Sequence, residues 1–265
     1  MSERDTYPAG APCWVETVQP DPARATEFYG PLFGWTFEGG MAADGHVVYH
    51  VAKLRGREVA GITPLPPMAP ETPPGWATQV RVERVEAAAE AARAAGGSVI
   101  LESFDAAPAG RLGVIADPGG AVVCLWEALT REGAQRVNEP GAWAMSVLAT
   151  ADPDRAAAFY GAVFGWQTEP FGDGVTLFRL PGYVGGEPAQ PVPRDVVAAM
   201  APRADGQAEG WVVDFWVADL EATVARAGEL GGCVVAAPSE SPAAGSAVLA
   251  DPAGAVFSVT RASGG

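Results

Sequence analysis

The stretch Phe28-Tyr29-Gly30-Pro31-Leu32-Phe33-Gly34-Trp35 returns as Phe159-Tyr160-Gly161-Ala162-Val163-Phe164-Gly165-Trp166. A chain that repeats a pattern of this kind is built as two similar halves. In each half an Asp-Pro pair, Asp21-Pro22 and Asp152-Pro153, stands just upstream. The aspartate predicts an N-cap, and the proline fits the first helical position because no amide donor is needed there. The aromatic stretch then falls at the end of a short helix. Gly30 and Gly34, like Gly161 and Gly165, let the chain leave that helix in left-handed or otherwise strained conformations, and Phe28, Phe33 and Trp35 supply apolar surface for a core.

The pattern around each helix is strand, helix, then three strands. Residues 12–18 alternate as a strand with Trp14, Glu16 and Val18 on one face and Cys13, Val15 and Thr17 on the other. Residues 35–38, 46–52 and 59–62 read as the next three strands, the second carrying His46 and His50 on one face and Tyr49 on the other. A proline-rich connector over 63–74 follows. Residues 75–82 then begin a second unit, with an Ala-rich helix over 85–95 stopped by Gly96-Gly97 and a tight turn at Asp117-Pro118-Gly119-Gly120. From Gly141 the order recurs. Gly210-Trp211 matches Gly75-Trp76, and Asp251-Pro252-Ala253-Gly254 matches the earlier turn. The expected organisation is a tail over 1–10, a domain over 11–128, a linker over 129–140 and a domain over 141–265. Residues 181–210, rich in Gly and Pro, read as one long loop.

Seventeen Lys and Arg against thirty-two Asp and Glu give a net charge of −15, which repels phosphate backbones and argues against nucleic acid as a partner. No apolar run is long enough for a membrane helix, and the first residues lack a signal pattern, so a cytoplasmic protein is expected. Cys13, Cys124 and Cys233 suggest neither a disulfide framework nor a zinc knuckle, and are expected as small buried hydrophobes. With only two histidines, a metal site has few donors. His46 and His50 share a strand face but lie roughly 13 Å apart along it, too far to hold one ion together on a straight strand.

Four βαβββ modules, with Asp-Pro before Phe-Tyr-Gly…Phe-Gly-Trp in modules one and three and Gly-Gly plus Asp-Pro-x-Gly in modules two and four, resemble the vicinal oxygen chelate superfamily. That group includes glyoxalase I, bleomycin-resistance proteins and extradiol dioxygenases. The chain looks most like its two-domain actinobacterial glyoxalase-like branch, some members of which carry a hydroxylase label in antibiotic gene clusters. The resemblance implies an α+β fold in which the modules pair into two cupped mixed sheets. It also implies metal ligands, His or Glu, on the first and last strands of modules. Here those positions fall near Trp14, Ala77, Met145 and Val212, and on Cys124 and Ser258. None is a usual ligand, so no metal and no cofactor is expected.

Trp14, Trp76, Trp126, Trp143, Trp211 and Trp216 lie in or beside strands that the resemblance places on the cavity walls. There they suit an aromatic ligand; the alternative for each is plain core packing. Glu16 and Asp214, beside these indoles by strand alternation, are candidates for a base or a hydrogen-bond acceptor, or else pair with an arginine such as Arg81. His46 and His50 are the only side chains whose ordinary pKa is near neutrality. The leading expectation is a metal-free protein that binds or sequesters a small aromatic or polycyclic natural product, as a monomer or homodimer. The alternative is a metal-independent tailoring enzyme, hydroxylase-associated, cyclase or lyase, with Glu16 or His50 moving the proton. A third is a glyoxalase-type protein that has lost its chemistry. Glu16 corresponds to Val147 and the histidines have no counterparts, so only the cavity containing module one is expected to function.

Overall fold

A computed structural model describes residues 2–41, 47–66, 70–172, 174–185, 193–203, 209–238 and 245–262. The first half runs β1 (Ser2–Glu3), β2 (Pro12–Gln19), α1 (Pro22–Phe33), β3 (Thr36–Met41), β4 (Val47–Leu54), β5 (Arg57–Pro64), β6 (Gly75–Arg81), α2 (Val85–Ala94), β7 (Ser98–Ala106), β8 (Gly110–Ala116) and β9 (Val122–Ala128). After β10 (Arg136–Val137), the second half runs β11 (Trp143–Thr150), α3 (Pro153–Phe164), β12 (Gln167–Gly172), β13 (Val175–Arg179) and β14 (Val196–Pro202). It ends with β15 (Gly210–Val217), α4 (Leu220–Glu229), β16 (Cys233–Ala236), β17 (Ser246–Ala250) and β18 (Val256–Arg261).

The helix signals act as their chemistry dictates. Asp21 accepts from the amides of Ala23 and Arg24, Asp152 accepts from Arg155, and α1 and α3 end at Gly34 and Gly165 with φ of 72° and 74°. α2 is capped from elsewhere. Arg84 offers its N-terminus no side-chain bond, and Glu127 of β9 accepts from the Val85 amide at 3.0 Å instead. The run expected as one long loop over 181–210 contains β14, which pairs in parallel with β11. Its apolar Val196-Val197-Ala198-Ala199-Met200 supplies the fourth strand that the third module needs, a signal masked by the surrounding Gly and Pro.

Consecutive modules pair. One eight-stranded sheet has the order β3-β4-β5-β2-β6-β9-β8-β7, the other β12-β13-β14-β11-β15-β18-β17-β16. The centre of each is an antiparallel pair, β2 with β6 and β11 with β15, flanked by the parallel pairs β2–β5 and β11–β14. Each sheet therefore has one concave face and one face that must be covered by something apolar.

The covering comes from the other half. Phe28 and Phe33 of α1 pack against Phe257 of β18 and Phe215 of β15 with ring centroids 6.2 and 4.9 Å apart. Phe159 and Phe164 of α3 join a cluster with Val85, Ala92, Ile115 and Leu125 of the first half. Each core thus joins a helix from one half to the last module of the other. The repeated tryptophans make the same crossing. Trp35 Nε1 donates to Gly141 O at 2.7 Å, and Trp166 Nε1 donates to Gly10 O at 2.7 Å. Gly10 and Gly141 both have φ of +85°, and a Cβ on either would lie under 3 Å from a carbonyl oxygen of the opposing helix end.

The segments expected as tail and linker take part in this packing. β1 pairs with β10, and the buried Tyr7 donates to Ala134 O at 2.6 Å. Arg136 and Glu139, both buried, pair at 3.0 Å, Arg55 also pairs with Glu139, and Glu3 also pairs with Arg136. Cys13 and Cys124 are buried as expected, whereas Cys233 is exposed on the edge strand β16.

Candidate functional site

Strand alternation turns Trp14 and Glu16 of β2, Tyr49 and Val51 of β4, Gln79 of β6 and Trp126 of β9 toward the concave face of the first sheet. With Phe104 and Leu112 from β7 and β8 they line a cavity of ≈ 640 Å³. That is the size and lining of a small-molecule site. On its floor, Trp14 Nε1 donates to Tyr49 Oη at 2.7 Å, and Tyr49 and Gln79 in turn hydrogen-bond to Glu16. Burial raises the Glu16 carboxyl above its usual range, while these bonds and the charge of Arg131 oppose the rise. Burial also holds the Tyr49 phenol well above 10.0, so it stays a neutral donor.

Gly61 makes the arrangement possible. It lies beside Glu16 in the β2–β5 register, and a Cβ there would be 1.9 Å from Tyr49 Oη and 3.1 Å from Trp14 Nε1. Only a glycine leaves room for the two rings to meet over the strand. The mouth is bordered by Arg131 and Gly133, from the stretch read as linker. Trp126 Nε1 donates to Arg131 O at 2.9 Å, Glu58 Oε2 accepts from Arg131 Nε at 3.1 Å, and the guanidinium carbon sits 5.4 Å from the centroids of both the Trp14 and Tyr49 rings.

Of the residues singled out from the sequence, Trp14, Glu16 and Trp126 come together in this cavity. His50 does not. It shares a strand with Tyr49 at an adjacent position, so it faces the other side of the sheet, where its Nε2 is buried without a hydrogen-bond partner among the described residues. His46 lies outside the described residues. Trp76 and Trp211 belong to the cores, donating to Tyr29 Oη and Tyr160 Oη at 2.9 Å each. Trp143 is buried and donates to Ser146 Oγ at 3.2 Å. Trp216 is half-buried on β15, on the Asp214 side of the second sheet. Tyr49 is the expected alternative to the histidines on its strand, whereas Gln79, Gly61 and Arg131 are not among the expected residues. A glycine inside a strand was a legible sign of close approach at Gly61, whereas nothing local marks Arg131.

The family likeness places a divalent cation where the central strands of a cup converge. In the first sheet the expected positions hold Trp14, Ala77 and Cys124, and the polar groups nearest them on the cavity face are Glu16 and Gln79, with Gln79 beside Trp14 on one flank and Cys124 on the other. One carboxylate already engaged by two donors, an amide, and a thiol that burial keeps protonated do not make a site for Mn²⁺ or Zn²⁺. The described residues include no cluster of three His, Cys, Asp or Glu.

In the second sheet Asp214 is buried, and its Oδ1 accepts from Ser258 Oγ at 2.7 Å and Thr260 Oγ1 at 2.8 Å. Burial, opposed by these two bonds, raises its pKa to about 6 from 3.8. Because the folded value is the higher one, the unfolded chain loses this proton first, and stability falls as pH rises from about 4 to about 6. Asp214→Asn is expected to remove a fall on the order of 3 kcal/mol from that window. Urea unfolding of both proteins between pH 4 and 7 checks this; parallel curves would refute it.

Paired βαβββ modules forming two cups, one with an aromatic cavity, define a vicinal oxygen chelate fold. The chain belongs to the glyoxalase-like domain family, whose model matches residues 14–126 and 145–260. It is 39% identical over 98% of its length to "Putative glyoxylase CFP32" of Mycobacterium tuberculosis, also covering 98% of that protein. It is 33% identical to "Anthracycline biosynthesis protein DnrV" of Streptomyces peucetius, covering 96% of this chain and 94% of that one. Among solved structures, the Mn(II)-bound glyoxalase from Novosphingobium aromaticivorans superposes with a TM-score of 0.62 at 17% identity, over 96% of this chain and 82% of that chain. No helix among the described residues is long and apolar enough to cross a membrane.

Proposed function

We propose that the cup of the first half binds a flat aromatic natural product without a metal ion. The observation that carries this reading is the ≈ 640 Å³ cavity, walled by aromatic side chains around one hydrogen-bonded carboxylate, Glu16. Rings stack and bury their faces against Trp126, Phe104 and Leu112. Glu16 accepts a hydrogen bond from a ligand hydroxyl and fixes its orientation. Similarity to proteins of anthracycline biosynthesis supports a polycyclic phenolic ligand class.

The test is quenching of tryptophan fluorescence by a panel of polycyclic phenols, anthracyclines included, with metal content measured on the same sample. Micromolar binding by metal-free protein is expected. Glu16→Gln and Trp126→Ala should each weaken it by about tenfold or more, near 1.4 kcal/mol, while Met145→Ala in the second cup leaves it unchanged. Equal losses from all three variants, or binding only after metal is added, would overturn the proposal.

One observation favours a second reading, in which the ligand is also turned over. Glu16 combines a raised pKa with a neutral neighbour, Tyr49. The carboxylate is suited to taking a proton from a carbon or hydroxyl, and its protonation frees the single Tyr49 O–H, until then donated to Glu16, to turn to the resulting oxyanion. Turnover that disappears in Glu16→Gln while binding survives would select it.

A further inference from the structure

Arg131 is held in place through its backbone and through Nε of its guanidinium. Its backbone is fixed by the Trp126 bond to its carbonyl and by its own amide, which donates to Ala109 O at 3.1 Å. Glu58 accepts from Nε at 3.1 Å, no hydrogen bond from Nη1 or Nη2 is present among the described residues, and the guanidinium charge also acts on Glu16. The guanidinium lies across the Trp14 and Tyr49 rings and borders both the aromatic cavity and an adjoining polar cleft of ≈ 310 Å³. Pro108, Ala109 and Gly133 border both spaces as well.

We propose that Arg131 makes this cavity selective for aromatic ligands that carry an oxyanion, in the simplest case a ring carboxylate, beside the hydroxyl that Glu16 accepts. The inference rests on the cavity being the ligand site. A guanidinium presents parallel N–H groups that match a carboxylate in bidentate fashion, which a lysine cannot do. Here the fork is already oriented by Glu58 and by two aromatic faces, so little side-chain freedom is lost on binding. The chain's net charge of −15 repels anions in general, so selectivity for one has to come from a local cation of this kind. A purely structural Arg131, closing the cup, would affect charged and neutral ligands alike.

The probes are 1-hydroxy-2-naphthoate and its methyl ester, which share ring and hydroxyl and differ in charge. Both are titrated by calorimetry against the full chain at pH 7. The acid is expected to bind at least about tenfold tighter than the ester, as a charge-assisted bidentate contact exceeds a neutral one. Arg131→Gln should abolish that preference while leaving ester affinity within about threefold of the parent, and Arg131→Lys, which keeps charge and loses the fork, should fall between. Equal affinities for acid and ester in the parent protein overturn the oxyanion assignment and leave the aromatic site standing. A preference that survives Arg131→Gln also overturns it. Failure of both probes to bind overturns the aromatic site and this inference together. The comparison in the parent protein decides the matter even if Arg131→Gln does not fold.

Discussion

Asp251→Ala is expected to lower the unfolding free energy by about 3–5 kcal/mol, read as a reduced urea midpoint. The side chain lies in the turn before β18, where its Oδ1 accepts from the amides of Ala253 and Ala255 at 2.9 Å each. Its Oδ2 reaches into the other half, accepting from Gln19 Nε2 at 2.7 Å and Tyr29 Oη at 2.9 Å. Trp76 Nε1 donates to the same tyrosine at 2.9 Å, so one carboxylate anchors a chain of buried donors. Alanine leaves those donors unsatisfied where water does not reach, and each orphan costs about 1–3 kcal/mol. Tyr29→Phe removes one member and should cost less, about 1–2 kcal/mol. Asp117, which accepts from Tyr160 Oη at 3.0 Å in the other core, should behave like Asp251. A loss under about 1 kcal/mol for Asp251→Ala would show that this network does not join the halves.

The largest effect on the site is expected from Gly61→Ala. The new methyl would stand 1.9 Å from Tyr49 Oη and 2.5 Å from its Cζ, so the phenol ring has to leave its place. Displacing it breaks the Trp14–Tyr49 bond and strips Glu16 of a donor, so ligand affinity should fall about 100-fold while overpacking costs about 1–3 kcal/mol. Adding Tyr49→Ala makes room and should recover much of the stability without recovering binding. Fluorescence titration and urea unfolding on the two variants separate these outcomes. Unchanged affinity in Gly61→Ala would show that the Tyr49–Glu16 pair is not part of ligand recognition.

The cavity was partly readable because strand alternation is local. Trp14 and Glu16 could be put on one face of one strand from residues 12–18 alone, and the same rule puts Tyr49 and His50 on opposite faces. Alternation does not say which of two faces is concave. Choosing Tyr49 over His50 required the sheet. Trp76 and Trp211 show the same limit from the other side. Each sits at the start of its module's first strand, as a cavity residue would, but points outward to the Tyr29 and Tyr160 hydroxyls of the covering helices.

By itself the sequence determined the repeat of four modules, except for the last strand of the third, the caps at Asp21 and Asp152, a glycine exit from each of the two aromatic helices and the strand faces. All of these follow from interactions within a few residues of chain. Tertiary structure alone decided that consecutive modules share a sheet and that each core borrows a helix from the opposite half. It also decided that Arg131, in a stretch with no periodicity, comes to rest over Trp14 and Tyr49. Tyr29 finds Asp251 at a separation of 222 residues. No local pattern encodes such a partner, because an apolar sheet face specifies that it must be covered and not what covers it.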